Sequence, residues 1–154
     1  VTLRPNERTE AVLANILLVD DRDDDLELTR IALFKRPRLR CNLQIARDSR
    51  EAYGLLTGTQ ATIDLMLLEI NMPDVNGFEL LERVRGDASL RRTTIVMCSG
   101  SDYEPDQRRA FGLGAAGYLI KPPRFTQLKD IIDRLPSLRL SQNGFETCLT
   151  RAPA

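Results

Sequence analysis

Four groups of polar residues, far apart in the chain, carry side chains suited to one piece of chemistry. Asp20-Asp21 come first; Glu69 follows with Asn71-Met72-Pro73, then Ser99-Gly100, then Lys121-Pro122. Three carboxylates in one pocket repel one another unless a cation lies between them. Oxygen donors alone suit a hard ion such as Mg²⁺, which keeps several of its waters. A serine hydroxyl and a lysine ammonium across that pocket would hold phosphoryl oxygens. Any one of these acids has a plainer use as a helix N-cap, and Asp23 or Asp24 suits that use. Four such groups, each closing an apolar run, favour one shared site over four separate caps.

The apolar runs alternate five times with segments of helical period. Asn15 to Val19 holds Ile16, Leu17, Leu18 and Val19, a strand buried on both faces. The next segment puts Leu28, Ile31 and Ala32 on one helical stripe, widened by Leu33 and Phe34, and Pro37 stops it. Asn42 to Ala46 alternates as a half-buried strand, and Ser49 to Thr57 places Ala52, Leu55 and Leu56 at i, i+3, i+4. Asp64 to Glu69 is a third strand. The Asn76-Gly77 turn signal precedes a stripe of Phe78, Leu81 and Val84. Thr93 to Cys98 is a β-branched fourth strand, Pro105 to Leu113 a polar helix that ends between Gly112 and Gly114, and Ala116 to Ile120 a fifth strand. Leu128, Ile131, Ile132 and Leu135 complete the pattern as an amphipathic helix before Pro136.

This is an α/β, (βα)₅ pattern, which predicts a doubly wound five-stranded parallel sheet with helices on both faces. In such sheets ligands bind beyond the carboxyl ends of the strands, where all four polar groups fall. The pattern spans a domain of 15–135, with an N-terminal arm of 1–14 and a C-terminal arm of 136–154. Both arms read as loosely ordered, though Leu138, Leu140 and Phe145 offer apolar contacts to this domain or to a partner.

Composition narrows the function. At 154 residues and zero formal net charge, no global field recruits nucleic acid or an anionic membrane. There is no histidine, and Cys41, Cys98 and Cys148 are widely spaced, which argues against a zinc site and for reduced thiols in the cytoplasm. No apolar run approaches a membrane span. No phosphate-binding glycine motif follows a strand, which disfavours a nucleotide-binding domain. Asp21-Arg22-Asp23 superficially fits the signature of a haloacid-dehalogenase-type phosphatase, but Asp25 stands where that family prefers Thr or Val.

In order and at these spacings, Ile16 to Asp21, Asp64 to Gly77, Ile95 to Gly100 and Gly117 to Pro122 resemble the receiver domains (CheY-like) of two-component response regulators. The segment from Asp24 to Leu33, with Asn42-Leu43, resembles more narrowly the receivers that partner bacterial phytochrome kinases. The resemblance implies a flavodoxin-like fold with strand order 2-1-3-4-5, and a phosphorelay signalling protein rather than an enzyme. It implies that Asp20 and Asp21 hold Mg²⁺ with Glu69 and the backbone carbonyl of Asn71. It places Glu69 at the phosphoacceptor position, Lys121 as the phosphoryl-binding lysine before a cis proline, and Ser99 and Tyr118 as the switch pair. The implied partner is a sensor histidine kinase, phytochrome-type in the narrower match, or a downstream protein. The face of the fourth helix, fifth strand and fifth helix would meet it through Tyr103, Arg108, Tyr118, Phe125 and Gln127, and homodimerisation is a further expectation.

Glutamate departs from the family's aspartate. Its stem is longer by about 1.5 Å, and a misplacement near 1 Å costs about a hundredfold in rate. The expectation is therefore a receiver that works without phosphate or accepts it poorly, with an engineered Asp→Glu change in an ordinary receiver as the alternative. The extra methylene takes the carboxylate toward the space of a phosphoryl group, where either the Ser99 hydroxyl or the Lys121 ammonium can bind it.

Overall fold

The computed structural model describes residues 12–58 and 61–153. Its centre is a five-stranded parallel sheet of β1 (Asn15–Val19), β3 (Asn42–Ala46), β4 (Leu65–Leu68), β5 (Thr94–Ser99) and β6 (Gly117–Ile120), in the order β3-β1-β4-β5-β6. β2 (Leu39–Arg40) lies outside it, so this order is the expected 2-1-3-4-5 of the core. Successive side chains of a strand point to opposite faces, and the buried residues divide accordingly. Leu17, Val19, Met66, Leu68, Ile95 and Met97 pack against α2 (Ser49–Thr57) and α3 (Gly77–Arg85), with Ala110 of α4 (Glu104–Gly112). Ile16, Leu18, Leu65, Leu67, Val96 and Cys98 pack against α1 (Asp23–Arg30) and α5 (Phe125–Asp133).

Caps and turns fix the helix entries. Asp48 and Asn76 accept hydrogen bonds from the backbone N–H groups of Glu51 and Glu79 at 2.7 and 3.0 Å, satisfying donors that each helix leaves unpaired. Asn76, read from the sequence as part of a turn, is thus the N-cap of α3. Neither Asp23 nor Asp24 caps α1; Arg22 holds that position, and Asp23, Asp24 and Asp25 all lie in the first turn, where the helix dipole favours negative charge.

Two expectations are corrected. Leu28, placed on the buried stripe of the first helix, is 60% exposed. The buried residues are Leu26, Thr29, Leu33 and Phe34; Leu26, Thr29 and Leu33 form one helical face that passes through a threonine and leaves Leu28 off it, and α1 continues into a π-helical turn at Ile31–Lys35. The second concerns the C-terminal arm. Residues expected to be loosely ordered form β7 (Leu138–Asn143) and β8 (Glu146–Arg151), an antiparallel hairpin that pairs through β8 with β2. Leu138 and Leu149 are buried in the core on the α1/α5 side. Leu13 bridges Thr150, and the Ala14 N–H donates to the Leu149 carbonyl at 2.9 Å, so the chain enters β1 along the hairpin. Phe145, by contrast, is 90% exposed at its tip. The rest of the predicted N-terminal arm, 1–11, falls outside the described residues. Among the described residues no helix is long and apolar enough to cross a membrane.

Candidate functional site

The parallel register carries the polar groups to one end of the sheet. Val19 pairs with Leu68, the Glu69 N–H donates to the Val19 carbonyl at 3.0 Å, and the Asp20 N–H to that of Ala46 at 3.1 Å. Asp20 and Glu69 therefore leave adjacent strands side by side. Ser99 pairs with Ile120, and the Lys121 N–H donates to the Ser99 carbonyl at 2.8 Å. The Lys121–Pro122 bond is cis, as the family resemblance implied.

The loop after β4 is held tightly on Glu69. The Gly77 N–H donates to the Ile70 carbonyl at 2.7 Å. A Cβ on Gly77 would lie 2.1 Å from the Glu69 carbonyl oxygen, so this approach of backbone to backbone requires glycine.

The Lys121 ammonium sits among three carboxylates. It donates to Asp20 Oδ2, to Asp25 Oδ2 at 3.0 Å and to Glu69 Oε1 at 3.1 Å. Glu69 is buried, and its second oxygen accepts the Ile70 N–H at 2.7 Å. Asp20 is buried as well, and its Oδ1 accepts the Arg22 N–H at 3.0 Å. Burial opposes the charge on Lys121, but the hydrogen bonds to Asp20 and Asp25 and the charges of Glu69 and Asp20 outweigh it, holding the ammonium above the ordinary lysine range. Burial pushes the Asp20 carboxyl above the ordinary carboxylate range, against the hydrogen bonds from Lys121 and Arg22.

Of the two ways open to the Glu69 carboxylate, it takes Lys121. Ser99 is fully buried, and its Oγ accepts the Ser101 N–H at 3.3 Å. Tyr118 is half-buried and donates its hydroxyl to the Ser101 carbonyl at 2.8 Å. The two residues read as a switch pair thus meet on Ser101, one through its N–H and the other through its carbonyl.

The acids gather differently from the expected set. Oxygens of Asp20, Asp25 and Glu69 lie within 4.8 Å of one another. Asp21 is not in that group; its Oδ1 is buried and has no hydrogen-bond partner among the described residues. Asn71 has an exposed side chain. Asp25 is the residue that the sequence alone did not single out, because its side chain reads as one more charge in the first turn of a helix. The all-oxygen donor set of Asp20, Asp25 and Glu69, with the buried Oδ1 of Asp21, next to Asp20 in the chain, left without a hydrogen bond, fits a hard, partly hydrated divalent cation.

The sequence profile of the response regulator receiver domain matches residues 16–133. Among solved structures, the chain is similar to the bacteriophytochrome response regulator AtBRR, with 34% identity and a TM-score of 0.76 over 85% of this chain and 98% of that one. It is similar to the bacteriophytochrome response regulator RtBRR, with 32% identity and a TM-score of 0.74 over 86% and 83%. The Mn(2+)-bound form of response regulator Rcp1 is 28% identical, with a TM-score of 0.63 over 77% and 88%. A probable cyclic di-GMP phosphodiesterase of Vibrio cholerae is 28% identical over 136 residues, covering 84% of this chain but 30% of that protein. The chain therefore spans under a third of that relative's length.

Proposed function

The chain belongs to the response regulator receiver domain family, and from that premise we propose that it is a two-component signalling switch whose phosphoacceptor position holds Glu69. One observation carries this reading: Glu69 follows β4 directly, buried, with one carboxylate oxygen on the Lys121 ammonium and the other on the Ile70 N–H. An acceptor whose two oxygens are both engaged and whose stem is longer than that of aspartate is a poor nucleophile toward an in-line phosphoryl donor. The output then rests on partner binding more than on phosphate.

In this reading Asp20, Asp21, Glu69 and the Asn71 carbonyl hold Mg²⁺, with Asp25 beside them. The cation would neutralise the pocket and polarise a phosphoryl oxygen. Ser99 and Lys121 meet phosphoryl oxygens, and Ser99 with Tyr118 relays the state of the pocket. The partner is a sensor histidine kinase in the cytoplasm, and the similarity to bacteriophytochrome response regulators supports a phytochrome-type one. Exposed Tyr103 and Arg108 with half-buried Tyr118, Phe125 and Gln127 present a face for it or for a second copy of the chain.

The test is phosphotransfer from such a kinase or from acetyl phosphate. The Glu69→Asp variant is expected to label about a hundredfold faster than the chain itself. Equal rates would overturn the assignment of Glu69 as an impaired acceptor.

A further inference from the structure

We propose that Asp25 is a positioning residue that latches the Lys121 ammonium to α1, so that the lysine must release it before meeting a phosphoryl oxygen. This rests on the reading of the pocket as a receiver site.

Lys121 has three acceptors, and they belong to different elements. Asp20 and Glu69 follow β1 and β4 and are fixed by the sheet, with 4% and 8% of their side chains exposed. Asp25 stands in the first turn of α1 with 29% of its side chain exposed. It is the one acceptor that leaves the pocket by a side-chain rotation alone. Asp25 also lies 3.8 Å from Arg22 at the helix entry, so a released Asp25 has a second cation to turn to. A hollow of about 340 Å³, lined by Asp25, Leu28, Thr29, Lys121, Pro122 and Pro123, opens beside the pair and gives both side chains room to part.

The electrostatics act in the same direction. A phosphoryl group brings nearly two negative charges, and Asp25 both repels it and competes with it for the lysine. Removing the Asp25 carboxylate relieves both effects at once. For a bare cation the two effects oppose each other, because a lost carboxylate also lowers the attraction for Mg²⁺. The anionic probe is therefore the discriminating one.

The chain has three lysines, Lys35, Lys121 and Lys129, so ¹³Cε-labelled lysine gives three resolvable side-chain positions. In Asp25→Ala the Lys121 methylene is expected to gain ps–ns mobility, and beryllofluoride with Mg²⁺ is expected to bind about tenfold tighter, the ratio for loss of one competing charged hydrogen bond. Asp25→Asn keeps an acceptor without charge and is expected to fall between. Asp23→Ala removes a first-turn charge that pairs with Arg47 and not with Lys121, and is expected to change neither readout. Unchanged Lys121 mobility in Asp25→Ala, or beryllofluoride binding that stays equal or weakens, would overturn the latch. Should neither the chain nor Glu69→Asp take up beryllofluoride, the receiver-site reading itself fails, and Lys121 mobility still decides whether Asp25 holds the lysine.

Discussion

A lysine among three carboxylates defines the chemistry of this pocket. Removing one partner of a buried ion pair leaves the others uncompensated, at a cost of about 3–5 kcal/mol. Lys121→Met keeps the length and loses the charge, leaving Asp20, Asp25 and Glu69 with oxygens within 4.8 Å and, among the described residues, only Arg22, 3.8 Å from Asp25, as a nearby cation. It is expected to unfold at lower urea than the native chain, and excess Mg²⁺ is expected to restore part of the loss by binding the folded state. Urea curves with Mg²⁺ and with EDTA check this; identical curves would mean that the pocket does not take the ion. Beneath the lysine, burial pushes the Cys98 thiol up to about 12, against about 8.5 for an ordinary thiol. A raised folded value means that this group's stabilisation is complete below about 8.5 and is lost as pH rises through about 12, because in between only the unfolded chain ionises. Cys98→Ala is expected to flatten the fall in stability over that window. Most of this site was legible in the sequence, since Asp20, Glu69, Ser99 and Lys121 each close a strand. Asp25 was not. In a run of five aspartates interrupted by Arg22, only the pitch of α1 selects the one that reaches the lysine.

At the scale of elements, the strands and helices followed from hydrophobic period, and the bounds read for the second helix, Ser49–Thr57, are those observed. The first helix misled at Leu28 because its buried stripe of Leu26, Thr29 and Leu33 runs through a threonine, which a reading by apolar residues passes over. The tight loop from Glu69 to Gly77 was visible only as a turn dipeptide, whereas its function in the structure is to seat α3 against the carbonyl of Glu69. Gly77→Ala forces that contact apart and is expected to destabilise by about 1–3 kcal/mol, with chemical-shift changes centred on Glu69 and Ile70. A variant as stable as the native chain, with Glu69 unmoved, would contradict the close packing. α4 is the opposite case: Ala110 is its one buried residue, and Ser101 to Tyr103 before it are half-buried or exposed. Few apolar anchors mean low local stability. Amide exchange is expected to be faster in 101–112 than in β1 and β4, and equal protection would count against this loop and helix as the movable part of the switch.

The whole molecule is larger than its five-unit pattern. Once the fifth helix ends, periodicity offers no reason for more structure, and alternation in 138–151 is diluted by polar residues. The signal present was Gly144, which opens the two-residue turn Gly144–Phe145 between paired Asn143 and Glu146 at a φ of 66°. Arg151 then ties the hairpin to the sheet, donating to Asp64 at 2.8 Å, while the Asn15 N–H donates to the other oxygen of the same carboxylate at 2.7 Å. Asp64 directly precedes β4 and Glu69 directly follows it, so the hairpin is anchored at the end of that strand opposite Glu69. Leu149 is fully buried in the same apolar cluster as Leu18, Leu67 and Ile132. Its truncation removes packing from that shared core, and Leu149→Ala is expected to cost about 2–5 kcal/mol, in the range of Leu67→Ala. For a domain of this size each kcal/mol lowers the melting temperature by about 2–4 °C. One cooperative thermal transition shifted down in both variants is the expected result, read by circular dichroism and by calorimetry. If Leu149→Ala instead left the main transition in place and added a separate early one, the hairpin would be an appendage that melts on its own, and the core would close at α5.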